Sequence, residues 1–359
     1  MFLDLHQFTQ ALRGRQRTNM SGEEFVSYYQ QEFPNVRLGC TFRPESFNSF
    51  AQAKEALTLL REWGLSAVRI GIRWSRVQDH PHEKLHLEEY FRILDRALEL
   101  GLEVTLNVGP IKSAGWPEQF IPPSIEQVCH IQKGDCVFLD HDLAAHALEY
   151  FDRLLLALAV RYPPGTFAAL QPDNECFKQF GVLELTASPE YLRTLIEKIN
   201  CHYPGIPLLL NSSGRREVRE ILNFQRLSGL TNPLILGYNY YFVTDATAGF
   251  YPLCRYVDDF VRMNLDTPRL SYTGENMTYE ITECQAEPWG RAKWPGNDYE
   301  AFLYALVRCA QVARTQAQGE YVVRLWGVER LLKKCLSPDS LTAAQGKIVD
   351  LLKTWSKTA

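Results

Sequence analysis

Eight short β-like runs, separated mostly by amphipathic helical stretches, recur between residues 36 and 325, and few folds accommodate that rhythm. The runs are Val36–Thr41, Ala67–Ile72, Glu103–Val108, Phe167–Gln171, Pro207–Asn211, Leu234–Tyr240, Thr278–Thr282 and Tyr321–Leu325. Several are continuously apolar, as in Pro207-Leu208-Leu209-Leu210. Parallel strands buried on both faces have that character. Between them, Phe50, Ala53, Leu57 and Leu60 fall at helical spacing and Gly64 follows as a stop; Leu87–Leu100 ends at Gly101 in the same way. Residues 143–160 and 191–202 repeat the pattern.

Eight strand–helix units without a Gly/Ser linker, an internal repeat or a low-complexity tract predict a closed (β/α)8 barrel (TIM barrel) as a single domain. The 359 residues are an ordinary length for it. Residues 1–34 are expected to form a short N-terminal extension, with Ser21 and Glu24 spaced as a capping box, and residues 35–359 the barrel. The segment from Gly109 to about Asp142 is too long for an ordinary turn between strand and helix. In a barrel such loops build the active-site face.

A formal net charge of -4 favours neither nucleic acid nor an anionic membrane as partner. The longest apolar run, Leu154–Val160, is far too short to span a bilayer, and the N-terminus shows no secretory pattern. Nine scattered cysteines make an odd number with no disulfide framework. Together these features predict a cytoplasmic protein.

Two strands end in carboxylates. The fourth runs into Pro172-Asp173-Asn174-Glu175, and the seventh into Glu283-Cys284-Gln285-Ala286-Glu287-Pro288-Trp289. Strands four and seven face each other across a barrel mouth. Glycoside hydrolysis requires two carboxyl groups flanking the bond to be cut, one to protonate the leaving oxygen and one to attack or to activate water. An isolated glutamate is ordinarily a solvated surface charge. Two of them closing opposed strands are not, and the amide of Asn174 beside Glu175 can hold a sugar hydroxyl near the reacting carbon.

These motifs resemble glycoside hydrolase clan A, the superfamily of retaining (β/α)8 enzymes that includes the family 5 cellulase-like proteins. The likeness rests on the Ile281–Gly290 run, which is similar to a motif of bacterial cellulase-like glycosidases. It rests also on Gly39-Cys40-Thr41-Phe42, on the Ala67–Trp74 strand and on Gly115-Trp116-Pro117-Glu118. The resemblance implies Glu175 as acid/base, Asn174 as its partner amide and Glu283 as nucleophile. It implies Arg69 as the cation holding the nucleophile, and one of Tyr238, Tyr240 and Tyr241, with Tyr240 favoured, as its hydrogen-bond donor. Trp326 would floor the sugar site. The histidines usual near a family 5 cleft find no counterpart, and the segment after the third strand offers Asn107, Lys112 and Trp116.

Other residues divide between site and packing. Glu287 competes with Glu283 for the nucleophile role, but it stands beside Pro288, which resists continued strand, and is read as a substrate-binding residue. Trp116 and Trp289 lie in proline-bearing loops outside any helical stripe and are candidate cleft residues, whereas Trp74 is read as packing under the barrel rim. Cys129, His130, Cys136 and His141 cluster in the long loop without a familiar zinc spacing, so no metal and no cofactor are expected. Cys176 and Cys284 each follow a proposed catalytic glutamate and are read as small packing residues. The resulting expectation is a retaining glycosidase acting by double displacement on a glycoside, oligosaccharide or polysaccharide, with a β-linkage implied by the resemblance alone. The competing expectation is a non-catalytic carbohydrate-binding barrel, whose Arg or Tyr around Glu283 would be disrupted.

Overall fold

The computed structural model describes residues 21–115, 120–213, 215–240, 277–285, 319–337 and 341–358, together with positions 299, 302, 303, 305–307 and 309–311. Eight parallel strands close on themselves: β1 (Val36–Phe42), β2 (Ala67–Gly71), β3 (Glu103–Asn107), β4 (Ala169–Gln171), β5 (Leu208–Ser212), β6 (Leu234–Tyr240), β7 (Met277–Gln285) and β8 (Tyr321–Trp326). Each strand pairs with its sequence neighbours, and β1 closes the ring, with Cys40 opposite both Leu325 of β8 and Val68 of β2. The fold is the (β/α)8 barrel that the alternation predicts.

The principal helices are α1 (Gly22–Glu32), α2 (Phe50–Glu62), α3 (Glu88–Glu99), α4 (Asp142–Arg161), α5 (Pro189–His202), α6 (Arg215–Ser228), α7 (Glu329–Cys335) and α8 (Ala343–Thr358). Their starts follow capping chemistry. Ser49 Oγ accepts from Gln52 N at 3.1 Å, Ser188 Oγ accepts from Tyr191 N at 3.1 Å, and Ser21 and Glu24 form the reciprocal box at the head of α1. Gly64 takes a φ of 79° just past α2, a left-handed conformation that glycine adopts without steric cost. Helix α1 packs on α8 through Tyr29 and Trp355, whose rings meet edge-on at 4.8 Å, and Tyr29 Oη donates to Leu306 O at 3.2 Å. No described helix is long and apolar enough to cross a membrane.

Alternation along the strands decides where the core lies. Leu38, Cys40, Val68, Ile70, Val104, Leu106, Leu170, Leu208, Leu210, Leu236, Ile281, Val323 and Leu325 turn outward into one apolar layer shared with the helices. The residues between them turn inward, and many are polar: Thr41, Arg69, Thr105, Asn107, Gln171, Asn211, Asn239, Glu280, Thr282 and Arg324 are all buried. Deep in the barrel Arg324 pairs with Glu280 and donates to Thr105 Oγ1 at 2.9 Å.

Two details correct the strand boundaries expected from sequence. The fourth strand is shorter, beginning at Ala169, because Pro163, Pro164 and Gly165 hold the preceding chain in a turn in which Thr166 N donates to Pro163 O. The seventh is longer, running through Glu283 to Gln285. Its pairing skips a residue: Tyr238 is opposite Ile281, but Asn239 is opposite Glu283. A bulge of this kind adds one residue to a strand and re-aims the side chains beyond it.

The tight interior makes a clear prediction. A Cβ on Gly237 of β6 would stand 2.7 Å from Thr282 Cγ2 and 2.8 Å from Asn211 Cβ. Gly237→Ala should therefore destabilise the protein by about 1–3 kcal/mol, read from the urea midpoint at unchanged slope.

Candidate active site

A ring of inward-facing polar side chains crosses the barrel near the C-terminal ends of its strands. Arg69 NH1 donates to Thr41 Oγ1 at 3.3 Å, and Arg69 Nε donates to Gln171 Oε1 at 2.8 Å. Gln171 Nε2 donates to Asn211 Oδ1 (2.7 Å), Asn211 Nδ2 to Asn239 Oδ1 (3.1 Å), and Thr282 Oγ1 to Asn239 Oδ1 (2.6 Å). Thr41 Oγ1 then donates to Thr282 O at 3.0 Å and closes the circuit. Six strands contribute, so the strand ends are cross-linked above the apolar layer by groups whose hydrogen bonds hold one another in place.

Arg69 is completely buried and is the hub of this network. Besides the two ring contacts, NH1 donates to Glu283 Oε1 at 2.7 Å and NH2 to Asn174 Oδ1 at 2.5 Å. One guanidinium thus touches both the acidic residue of β7 and the amide that precedes Glu175 after β4. The bulge in β7 is what allows this: Thr282 and Glu283 are consecutive, yet the first joins the ring and the second reaches Arg69.

Glu283 is 1 % exposed. Burial pushes its carboxyl up to about 7, Arg69 opposes that rise, and the neighbouring charge of Glu175 adds to it. The two carboxylates therefore sense each other across the mouth of the barrel.

Glu175 is held differently. Its backbone is in the left-handed region, with a φ of 42°, which costs a residue with a side chain about 1–2 kcal/mol. Its N–H donates to Asn211 Oδ1 at 3.0 Å, and its carbonyl accepts from Lys178 N at 2.9 Å and from Lys112 Nζ at 3.3 Å. Its Oε1 accepts from Ser213 N at 2.7 Å, with Lys178 Nζ 3.7 Å away. Oε2 has no hydrogen-bond partner among the described residues. The Ser213 backbone thus ties one carboxyl oxygen of Glu175. Asn174 Oδ1 accepts from Arg69 and from Asn211 Nδ2 (2.9 Å). A guanidinium can only donate, so the amide orientation is assigned from this network, with Nδ2 as the end directed elsewhere.

Trp326 is the last residue of β8, is 1 % exposed, and carries the Arg43 guanidinium 4.8 Å above its ring. Arg43 is itself held by Glu329, Nε to Oε1 at 2.9 Å and NH2 to Oε2 at 3.1 Å. Tyr238 stacks on Tyr279 with centroids 6.3 Å apart. The backbone of Tyr240 lies in β6 opposite Cys284, and its side chain, with Tyr241, Trp116, Glu287 and Trp289, lies outside the described residues.

Solved structures similar to this chain share its barrel and include members of glycoside hydrolase family GH5. GH5_18 from Streptomyces cattleya, solved in complex with GlcNAc, matches with a TM-score of 0.60 at 15 % identity, over 90 % of this chain and 81 % of that one. A GH5 family lichenase from Caldicellulosiruptor sp. F32 matches at 0.56 and 12 %, over 94 % and 96 %. The virulence factor SghA from Agrobacterium tumefaciens, in complex with its substrate analogue salicin, matches at 0.56 and 12 %, over 94 % and 99 %. What these proteins share with the chain is the fold. No family model and no curated protein matches its sequence.

The remaining candidates take structural parts. Trp74 stacks on Tyr150 at 4.7 Å and donates from Nε1 to Gln78 Oε1 at 2.7 Å. Cys129 and Cys136 are free thiols, and His141 caps α4 by accepting from Leu143 N through Nδ1 at 3.1 Å. Among the described residues no group of three or more His, Cys, Asp or Glu side chains could hold a metal ion. Burial pushes the Cys176 thiol up to about 12, so it stays protonated at neutral pH and is no nucleophile. Sequence reasoning missed Thr41, Gln171, Asp173, Asn211, Ser213, Asn239 and Thr282. A signal existed for Asn211 and Asn239, which interrupt apolar runs at the ends of the fifth and sixth strands.

Arg69→Met should destabilise the protein by about 3–5 kcal/mol, because it strands a buried carboxylate and opens the ring in two places. Calorimetry and urea unfolding of the variant measure the loss.

Proposed function

We propose that the chain is a retaining glycoside hydrolase of the clan A, family 5 type, with Glu283 as nucleophile and Glu175 as acid/base. The observation that carries this reading is the Arg69 hub, which binds Glu283 directly and holds Asn174 beside Glu175. The Ile281–Gly290 motif supports it, as do the neighbours of the fold solved with salicin and with GlcNAc. A binding-only barrel expects a disrupted Arg or Tyr around Glu283; the arginine arm of that reading is not met, since the Arg69–Glu283 pair is intact at 2.7 Å.

The chemistry follows from the placement. Glu283, ionised against Arg69, attacks the anomeric carbon while Oε2 of Glu175 delivers a proton to the leaving oxygen, which departs as an alcohol. Glu175, now anionic, takes a proton from water, and the resulting hydroxyl displaces Glu283 and regenerates both groups. Asn174 would hold a hydroxyl next to the reacting carbon. We read Tyr240 as a hydrogen-bond partner of Glu283, Trp326 as the floor of the sugar site, and Trp116, Glu287 and Trp289 as substrate contacts from the loops. The substrate class is a glycoside, oligosaccharide or polysaccharide with a β-linkage. We assign residues 1–34 to an extension and 35–359 to the catalytic barrel.

A panel of aryl β-glycosides tests this. Wild type should turn over at least one of them with net retention, seen by NMR as the anomer first released, and Glu283→Ala should lower kcat by a factor on the order of 10⁴ or more. Inversion, or undiminished turnover by Glu283→Ala, would overturn the assignment.

The pH profile is a second test. A nucleophile must be ionised, and burial raises the Glu283 carboxyl to about 7, so protonation removes activity as pH falls through that value. A plot of kcat/KM should fall about tenfold per pH unit on its acid side, with the bend near 7.

A further inference from the structure

Lys112 is a buried cation for which the mechanism above has no use. It lies in the loop after β3, is 1 % exposed, and reaches one short segment, residues 173–180. Its ammonium donates to Glu175 O at 3.3 Å and to Lys178 O at 2.5 Å, and stands 4.6 Å from the centroid of the Phe180 ring. Its backbone N–H donates to Asp173 Oδ1 at 2.6 Å, and its carbonyl accepts from Asn174 N at 3.2 Å. Asp173 is buried too, and Gly109, close to Lys112 in the chain, presses on it so tightly that a Cβ there would stand 2.5 Å from Oδ1.

We propose that Lys112 is a positioning residue for the acid/base: it clamps the turn from Asp173 to Lys178 from both ends and so holds Glu175 in its left-handed conformation. The inference rests on the reading of Glu175 as acid/base. Three physical arguments carry it. An ammonium is expensive to bury, and an apolar side chain would fill the same space without that cost unless the hydrogen bonds mattered. The carbonyls it binds belong to Glu175 itself and to the residue three further on, so it spans the turn that sets the direction of the Glu175 side chain. That turn is strained at Glu175, and a strained conformation persists only where its surroundings over-determine it. Losing the clamp lets the carboxyl drift, and misplacement by about 1 Å costs on the order of 10²-fold in rate.

The test compares wild type, Lys112→Met and Lys112→Arg on two aryl glycosides of the same sugar, one with a poor leaving group (phenol) and one with a good leaving group (2,4-dinitrophenol). The second hardly needs a proton to depart. For Lys112→Met, kcat/KM on the phenyl glycoside should fall on the order of 10²-fold. On the dinitrophenyl glycoside it should change little, while kcat and KM fall together as the glycosyl-enzyme accumulates and azide restores kcat. Lys112→Arg should recover part of the loss. Hydrogen exchange of amides 174–178 in Lys112→Met should accelerate, with the amides of β5 unchanged. Should the Met variant not fold, Lys112→Gln, whose shorter side chain cannot span both carbonyls, should show the same selective loss on the phenyl glycoside in smaller degree. Equal losses on both substrates, or unaltered exchange at 174–178, would overturn the clamp. Wild-type inactivity on every glycoside would instead overturn the acid/base reading beneath it, so the two failures are distinguishable.

Discussion

The buried guanidinium of Arg69 is the constraint from which the rest of the barrel mouth follows. A charge with no exposure to water is tolerated only where its donors are met, and here they are met by residues from four other places in the fold: Thr41, Gln171, Asn174 and Glu283. Each of those acceptors is then obliged to present an oxygen to the barrel axis. Gln171 turns its amide nitrogen to Asn211, Asn211 passes the demand to Asn239, and Asn239 to Thr282. One cation thereby orients a circle of neutral side chains, and in an interior of low dielectric such a circle is stiff.

The two glutamates meet that frame in opposite ways. Glu283 is inside it, fully desolvated, with its negative charge matched by Arg69 and opposed by burial. Glu175 sits at its edge, held through its backbone and one carboxyl oxygen. The two carboxyl groups thus stand in unlike settings, one inside the ring against a guanidinium and one at its edge. The frame also concentrates strain and desolvation where the reaction is proposed to occur, in the left-handed Glu175 and in the β7 bulge, while the outward faces of the strands are ordinary apolar packing.

Much of this was legible in the residues. The strand–helix alternation gave the barrel, because parallel strands covered by helices must be apolar and must be spaced by helical segments. The Ser21–Glu24 spacing showed where α1 begins, because capping is local chemistry. Glu175 with Asn174, and Glu283, stood out because polar groups at the ends of apolar strands have no packing reason to be there; Arg69 was implied by the family resemblance.

What the sequence by itself determined, then, is the fold, which follows from local periodicity, and the presence of carboxylates at the ends of two opposed strands. Only the tertiary structure decided how they are held. The bulge between Tyr238 and Asn239 depends on pairing with strands far away in the chain, and without it Glu283 would not share an inward direction with Thr282. The ring from Thr41 to Thr282 joins residues separated by as many as 241 positions, and the Lys112 clamp joins two loops more than 60 residues apart. Spacing along a chain carries no record of such contacts; closure of the barrel creates them.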